Sequence, residues 1–512
     1  MIGFLTAVSI LYLVFVVAIS LCSTYQAFLV SLAILCVMLL AGQCQLKKAR
    51  TGFLPRVFSE TSRAATTKGF QYIYFFIVLF FSVIYWLGDF PGGFNLDADG
   101  QWLQAHNVLQ YNDWHPFVST LLIQLVLQVS DSFVFYIAVQ IVAFSISVTY
   151  LLNCIQKQGV DYRLLVAVAI YIGLNPAIGL NMICMTKDAQ FTILIIFMTG
   201  FFIRIIATAG EWLNNYIHCF TMIALAVVIT LVRHNGFLFI LPGLVLLILL
   251  YKKPRKKTII SCLSIITLII LIKWPVAAEL NVEKHENVLG ETAGIPMEMM
   301  ANALVTDEDH LPIEVHAFLN AIADDESWKE NHIVGEWDAC KWEFGGTELL
   351  KDTTGFELLN YTIETIRECP QACYEAFRES TRIVWTLFNM FPEWIPYVYI
   401  EENEHNIEYS PISPFNEVTS LICSLSQWPI IAFAFWNGGM FLAVLLIAFL
   451  LMNKKGKKRN ALLVFPLLTY VLGTMVLLSG PNQRYFFCEM VLIPPILLSI
   501  LYNYKKEIVS LS

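Results

Sequence analysis

The sequence predicts an all-α polytopic membrane protein with about twelve transmembrane helices. Hydrophobic residues make up 57% of the 512 residues, charged residues make up only 14%, and the mean hydropathy is +0.64. Apolar runs of roughly 17–22 residues recur along the chain, and about 20 residues are needed to cross the hydrocarbon core. A net charge of −8 argues against nucleic acid as a partner, because a nucleic-acid-binding protein carries a concentrated basic patch.

Basic segments set the predicted orientation of the helices. Segment 43–68 carries six basic residues, and Lys252–Lys257 is a second basic cluster. Because positively charged loops stay on the cytoplasmic side, these segments and both termini are predicted to be cytoplasmic. This orientation requires the short run Phe117–Val129 to be re-entrant or interfacial. A full crossing there would place Lys252–Lys257 outside.

The chain is predicted to divide into four regions. They are 1–68, two N-terminal helices (Ile2–Leu21 and Gln26–Ala41) and a basic loop; 69–274, a transmembrane core with an external loop at 89–130; 275–427, a soluble, mainly helical external insert; and 428–512, the C-terminal transmembrane helices. The insert is polar and rich in acidic residues, and it is long enough to bury a small core.

The first external loop, from Phe90 to Pro116, carries the densest group of ionisable side chains beside a membrane helix. They are Asp97, Asp99, His106, Asp113 and His115. Loops on a rigid scaffold often carry site residues, although an ordinary solvated connector is the alternative interpretation.

The predicted topology brings polar residues from four separate loops to the external ends of the helices. They are Asp97, Asp99, His106, His115, Lys187, Asp188, Arg233, His234, Gln483 and Arg484. Charged groups inside a helix bundle are costly unless they face water, a partner or a substrate. Any one of these residues alone could be an interfacial anchor instead of a site residue. Their convergence is what indicates a site.

Two classes of function fit this convergence. An enzyme for an anionic lipid-linked substrate needs basic side chains for the phosphate and a carboxylate that accepts a proton from a hydroxyl. Asp97 or Asp99 fits the second role. No cofactor is certain; Asp97 and Asp188 are candidate ligands for a divalent cation, Mg or Mn, because carboxylates suit hard cations. A transporter needs ionisable groups at the midplane of the membrane and several broken helices. Asn175-Pro176 is the one obvious break in the sequence. An enzyme is therefore favoured.

The order and placement of several short motifs resemble the C-type integral-membrane glycosyltransferase superfamily, which includes protein O-mannosyltransferases and aminoarabinose transferases. Within it, the chain most resembles a bacterial mannosyltransferase-like branch. The motifs are Pro91–Asp97 with Gln101, Tyr111–Pro116, Lys187-Asp188, Arg233–Gly236, Gly294–Pro296 and Gln483–Tyr485. The resemblance extends from about Gly69 to the C-terminus, and Glu298 stands where that branch has Gln.

This resemblance implies an essential acidic residue in the first external loop and a polyprenyl-phosphate-linked sugar as donor. Asp97 matches the acidic position better than Asp99 because of its spacing to Gln101, and Asp188 matches a second acidic position. His115-Pro116 matches a His-Pro pair that precedes an interfacial helix in relatives.

The resulting hypothesis is an inverting glycosyltransferase at the outer face of a bacterial cytoplasmic membrane. It moves a sugar from the donor to a hydroxyl acceptor of the envelope: a wall polymer, a glycolipid or a protein. Asp97 is the predicted base with Asp99 as fallback, and His115 shapes the site. The predicted substrate-binding residues are Lys187, Arg233, His234, Gln483 and Arg484. Two alternatives remain: a lipid-linked-sugar flippase or exporter accessory without catalysis, and an acyl- or phospho-group transferase that uses His106 or His115.

Overall fold

The computed structural model describes residues 1–33, 70–252, 254–284, 288–346 and 350–509. Within these ranges the regular elements are helices, and extended pairing is limited to three isolated β-bridges. Five helices are long and apolar enough to cross a membrane, and a bent helix pair raises this to six. The five are Ile2–Leu21, Phe133–Gln156, Lys187–Ala207, Arg255–Glu279 and Phe487–Tyr504. The protein is therefore an all-α membrane protein in its described part, as the composition predicts.

The predicted count of twelve crossings is not confirmed. Five further apolar helices have 10–17 residues, and they are Tyr72–Gly88, Phe117–Leu127, Tyr216–Val232, His234–Leu250 and Gly438–Leu451. Phe117–Leu127 has 11 residues and is about 16 Å long, about half the thickness of a hydrocarbon core. That length is consistent with a re-entrant or interfacial segment. The predicted helix Gln26–Ala41 is described only as far as residue 33, and segment 43–68 lies outside the described residues.

The remaining helices of seven or more residues either extend the membrane part or belong to the insert. They are Leu96–Ala105, Tyr162–Leu174, Pro176–Met182, Gly294–Thr306, Ile313–Asn320, Asp325–Asn331, Trp337–Glu343, Gly355–Glu368, Pro370–Ser380, Ser413–Ser426 and Lys454–Met475.

The break expected at Asn175-Pro176 is present. Helices Tyr162–Leu174 and Pro176–Met182 are bent by 60° there, and the Asn175 side chain accepts a hydrogen bond from the Ala177 amide (2.9 Å). The following proline has no amide hydrogen to continue the first helix, and it suits the first turn of the second. The basic run that begins at Lys454 starts helix Lys454–Met475, because the Asn453 side chain accepts hydrogen bonds from the Lys455 and Gly456 amides.

The insert has a hydrophobic core of its own. Helix Gly294–Thr306 buries Met297 and Leu304 against Trp328 and Trp337. The start of this helix also touches the C-terminal part of the chain, since a Cβ on Gly294 would lie 2.3 Å from the Leu478 carbonyl oxygen. The insert is thereby packed directly against the turn that precedes Arg484. The four-region division itself stays a prediction.

The loop from Phe90 to Pro116 is held by backbone hydrogen bonds on two sides. The Gly93 amide donates to the Ile183 carbonyl (3.1 Å). On the other side, the Phe94 amide donates to Tyr399 (2.9 Å), and the Glu401 amide donates to Phe94 (2.7 Å). The chain is thus fixed on both sides shortly before it enters helix Leu96–Ala105.

Glycine allows the bent helix pair to approach helix Phe70–Gly88 closely. A Cβ on Gly179 would lie 2.2 Å from a ring carbon of the fully buried Tyr85. In contrast, a Cβ on Gly100 in helix Leu96–Ala105 would meet nothing within 4 Å.

We expect Gly179→Ala to lower the thermal midpoint of the detergent-solubilised protein, because overpacking a core costs about 1–3 kcal/mol. Gly100→Ala is the matched control, and it should be neutral or stabilising because alanine favours a helix interior by about 0.5–1 kcal/mol. A Gly179→Ala protein that melts with the wild type would contradict the close packing on Tyr85.

Candidate active site

Two acidic residues of the loop, Asp97 and Asp99, lie in the first turn of helix Leu96–Ala105. The helix begins there because the Asn95 side chain accepts a hydrogen bond from the Ala98 amide (3.0 Å). Carboxylates in a first turn are also favoured by the helix dipole. Asp97 and Asp99 are two positions apart on this helix and therefore point in different directions.

Asp97 belongs to a group of ionised and polar side chains from four parts of the chain. This charge cluster consists of Asp97, His115, Lys187, Asp188, Arg233 and Arg484. Arg484 bridges the two carboxylates: its Nη1 lies 3.1 Å from Asp97 Oδ2, and its Nε lies 3.3 Å from Asp188 Oδ2. Arg233 Nη1 lies 2.6 Å from the other oxygen of Asp188. Asp188 is only 1% exposed, so both of its oxygens face guanidinium groups rather than water.

His115 connects Lys187 to Asp97. The Lys187 ammonium lies 2.9 Å from His115 Nδ1, which must accept the hydrogen bond because an ammonium can only donate. The proton of the neutral ring is then on Nε2, which lies 3.4 Å from Asp97 Oδ1. The lysine therefore sets the tautomer of the histidine, and the histidine presents an N–H group to the carboxylate.

The charges of the cluster determine the protonation states of its two loop residues. Partial burial by itself raises the pKa of Asp97. The hydrogen bond from His115 and the charges of Arg484 and Lys187 outweigh that effect, so the pKa lies well below its usual range. Burial, followed by the nearby Lys187 charge, lowers the pKa of His115. At neutral pH the pair is a carboxylate beside a neutral imidazole.

Arg233 is held by aromatic side chains as well as by Asp188. Its Nη1 donates to the Tyr470 hydroxyl (2.6 Å), and its guanidinium lies 5.0 Å from the ring centre of Tyr485 and 5.6 Å from that of Phe191. Such contacts stabilise a buried guanidinium. Tyr470 was missed from the sequence, although a tyrosine within an apolar helix is the signal that identifies it.

A cavity of about 310 Å³ opens beside the charge cluster. This basic cavity is lined by Lys187, Arg233, His234, Asn235, Phe237, Thr474, Leu477, Leu478 and Tyr485. Its apolar members Phe237 and Leu477 are 47% and 40% exposed. The cavity therefore combines a cationic interior with an apolar rim on the outside of the helix bundle.

The structure separates some predicted site residues from the charge cluster. His405 Nε2 donates to Asp99 (2.9 Å), and His106 Nε2 donates to Asp131 (2.6 Å). Gln483 is buried, and its amide nitrogen lies 3.6 Å from a methionine sulfur. His234 Nε2 donates to the Asp113 carbonyl (3.0 Å), and its ring lines the basic cavity.

The residues at Asp97 and Asp188 do not fit a shared divalent cation. Arg484 occupies the space between the two carboxylates, and Arg233 faces the remaining oxygen of Asp188. A dication there would lie against two guanidinium groups, which is electrostatically unfavourable. The described contacts favour ion pairing, and no step below uses a metal.

Comparisons with known proteins give the following findings. A family model described as a family of unknown function (DUF6020) matches residues 101–342. No curated protein matches the chain. A solved structure of the archaeal oligosaccharyltransferase AglB from Archaeoglobus fulgidus, in complex with an inhibitory peptide and a dolichol-phosphate, is similar with a TM-score of 0.37 and 11% identity. The match covers 86% of this chain and 51% of that chain, so this chain spans about half the length of the archaeal protein.

We expect stability to depend on pH through His115. Its pKa in the folded protein is lower than the value of about 6.5 in an unfolded chain. The unfolded state therefore binds more protons as pH falls below about 6.5, and the free energy of unfolding decreases. The thermal midpoint of the wild type should fall more steeply with acidification below about pH 6.5 than that of His115→Gln, which has no titrating ring. Parallel curves for the two proteins would contradict this assignment.

Proposed function

We propose that the protein transfers a sugar from a polyprenyl-phosphate-linked donor to a hydroxyl acceptor, with inversion at the anomeric carbon. The observation that supports this most is the position of an ionised carboxylate, Asp97, beside a cavity that is cationic inside and apolar at its rim. The charge cluster holds three basic side chains and two carboxylates, which leaves one positive charge in excess. That excess suits a phosphate, and the exposed apolar rim suits a lipid chain.

The proposed step is a single displacement. The acceptor oxygen forms a bond to the anomeric carbon while the bond from that carbon to the phosphate oxygen breaks. The acceptor proton passes to the Asp97 carboxylate, and the polyprenyl phosphate leaves with the bonding electrons. Lys187, Arg233 and Arg484 stabilise the negative charge on the leaving phosphate, which is the kind of electrostatic assistance that contributes most in many enzymes.

Donor binding would also adjust the basicity of Asp97. In the structure, Arg484 and Lys187 lower its pKa, which makes the carboxylate a weak base. A phosphate bound to the same two cations would offset their charge at Asp97. The pKa of Asp97 would then rise toward the range in which a carboxylate accepts a proton efficiently. The base is thus weak until the donor is bound.

We also propose the location of this reaction. The site would lie at the outer face of a bacterial cytoplasmic membrane, in a chain with about twelve crossings and both termini in the cytoplasm. The basic segments support this orientation through the positive-inside rule. The acceptor would be a hydroxyl of the envelope, and the insert at 275–427 would help to bind it.

Asp97→Asn should reduce sugar transfer by about 100-fold to 10,000-fold, the usual contribution of a general base. The assay is turnover of a panel of polyprenyl-phosphate sugars by purified protein in detergent, where transport cannot be scored. Asp99→Asn is the matched control on the same helix turn, and it should change the rate by less than about tenfold because Asp99 is bonded to His405 outside the charge cluster. Full activity of Asp97→Asn would refute the assignment of the base.

Lys187→Gln should lower kcat/KM for the donor by roughly tenfold to a hundredfold, the usual cost of losing a hydrogen bond to a charged group. Lys157→Gln is the control, because this exposed lysine follows the far end of helix Phe133–Gln156, about 36 Å from its start. Unchanged donor kinetics in Lys187→Gln would show that the basic cavity does not hold the phosphate.

A further inference from the structure

A second cavity, of about 400 Å³, lies on the other side of the first external loop. We call it the tyrosine cavity. Its polar and aromatic lining residues are Asp89, Tyr397, Tyr399, Tyr409, Thr419 and Ser420. No role has been given to it so far, and it shares no lining residue with the basic cavity.

Two of the tyrosines form a platform. The rings of Tyr397 and Tyr399 are stacked, with centroids 5.5 Å apart and an interplanar angle of 24°. Tyr397 is 82% exposed, so its ring is accessible to a ligand. Asp89 adds a charged group beside the rings, and its Oδ1 accepts a hydrogen bond from the Tyr409 hydroxyl (2.9 Å). The cavity thus offers ring faces together with a carboxylate.

The charge of the residues that line the tyrosine cavity indicates which class of ligand it can bind. Among the described residues that line the tyrosine cavity, none is basic and one is acidic. A phosphate or carboxylate ligand would find no cation there. A carboxylate and several hydroxyls are instead suited to bind the hydroxyl groups of a neutral ligand. A neutral sugar has both parts that the cavity matches: C–H faces for the tyrosine rings and hydroxyls for Asp89.

A peptide fits this cavity less well. An extended peptide commonly binds by pairing its backbone with a free edge. One edge of the segment beside the cavity is already paired, because Tyr399 accepts from Phe94, Glu401 donates to Phe94, and Ser410 donates to Phe90 (2.9 Å). That edge is therefore closed to an added strand.

The tyrosine cavity adjoins the proposed base. Tyr399 is hydrogen-bonded through its backbone to Phe94, three residues before Asp97. Burial, followed by the charges of Glu401 and Asp97, raises the pKa of the Tyr399 hydroxyl. The Arg484 charge acts in the opposite direction and lowers the pKa of that hydroxyl. Arg484 also donates to Tyr485 (3.1 Å), which lines the basic cavity. The backbone of the tyrosine cavity is thus bonded to the segment that leads to Asp97, and the ion-pair partner of Asp97 contacts the basic cavity.

We infer that the tyrosine cavity binds a neutral saccharide, with a sugar ring against the outer face of Tyr397, which Tyr399 supports by stacking, and with its hydroxyls toward Asp89. We assign this saccharide as the acceptor of the transferred sugar, and that assignment rests on the proposed function. Its reacting hydroxyl is delivered to Asp97 from one cavity while the donor phosphate occupies the other. Approach from a different side than the donor phosphate is compatible with an inverting displacement, because the nucleophile and the leaving group must be on opposite sides of the anomeric carbon.

The test measures saccharide binding by the full-length protein in detergent, with no donor present. The probes are hexasaccharides of glucose, mannose and N-acetylglucosamine, and a neutral Ser/Thr-rich peptide. At least one hexasaccharide should bind the wild type. Its Kd should rise roughly tenfold in Tyr397→Ala, which loses the ring, and should change by less than about twofold in Tyr397→Phe. Tyr397 is so exposed that neither change leaves a hole in the core. Lys157→Gln, at the far end of helix Phe133–Gln156 and outside both cavities, should bind the hexasaccharide like the wild type.

Each other outcome overturns the inference. Absence of hexasaccharide binding, equal binding by Tyr397→Ala, or Tyr397-dependent binding of the peptide would each refute a saccharide site. Failure of the transferase proposal can be distinguished from failure of the saccharide site, because donor turnover is measured in a separate assay. A protein that binds hexasaccharide through Tyr397 but consumes no donor keeps the saccharide site and loses its acceptor role.

Discussion

The arrangement of the site depends on the ion pairs that Arg484 makes with Asp97 and Asp188. These residues come from the C-terminal turn, the first external loop and the start of helix Lys187–Ala207. Asp188 is almost fully buried, and a buried carboxylate that loses its partner costs about 3–5 kcal/mol. The bridge therefore constrains where three distant parts of the chain can lie relative to one another, and it connects Asp97 through Arg484 to Tyr485 of the basic cavity.

The same ion pairs explain why a strongly basic site can exist at a helix-bundle surface in the absence of ligand. Each cation has a partner within the protein: Arg233 has Asp188 and aromatic rings, and Lys187 has His115. An incoming phosphate would exchange these partners rather than meet bare charges. Such an exchange changes the field at Asp97, and it links occupation of the basic cavity to the chemistry of the carboxylate.

The insert takes part in this arrangement through direct contacts. Lys341, buried in the insert, lies over the rings of Trp114 (5.6 Å) and Trp342 (4.7 Å) and is ion-paired with Glu291. Trp114 directly precedes His115 in the chain. The insert thus covers the loop segment next to the histidine. Its charged and aromatic side chains have a structural role there, because they hold Trp114 in place.

The sequence alone determined the membrane class, the all-helical content, the break at Asn175-Pro176, the loop that carries the acidic residues and the six members of the charge cluster, because these follow from composition, run length, local spacing and the resemblance. It could not predict which ion pairs the six residues form, that Asp99 is bonded to His405, or the roles of Tyr470 and the tyrosine cavity. Only the tertiary structure decided these features. Arg484 and Asp97 are 387 residues apart in sequence, and contacts over such distances depend on how helices pack, which no local pattern encodes.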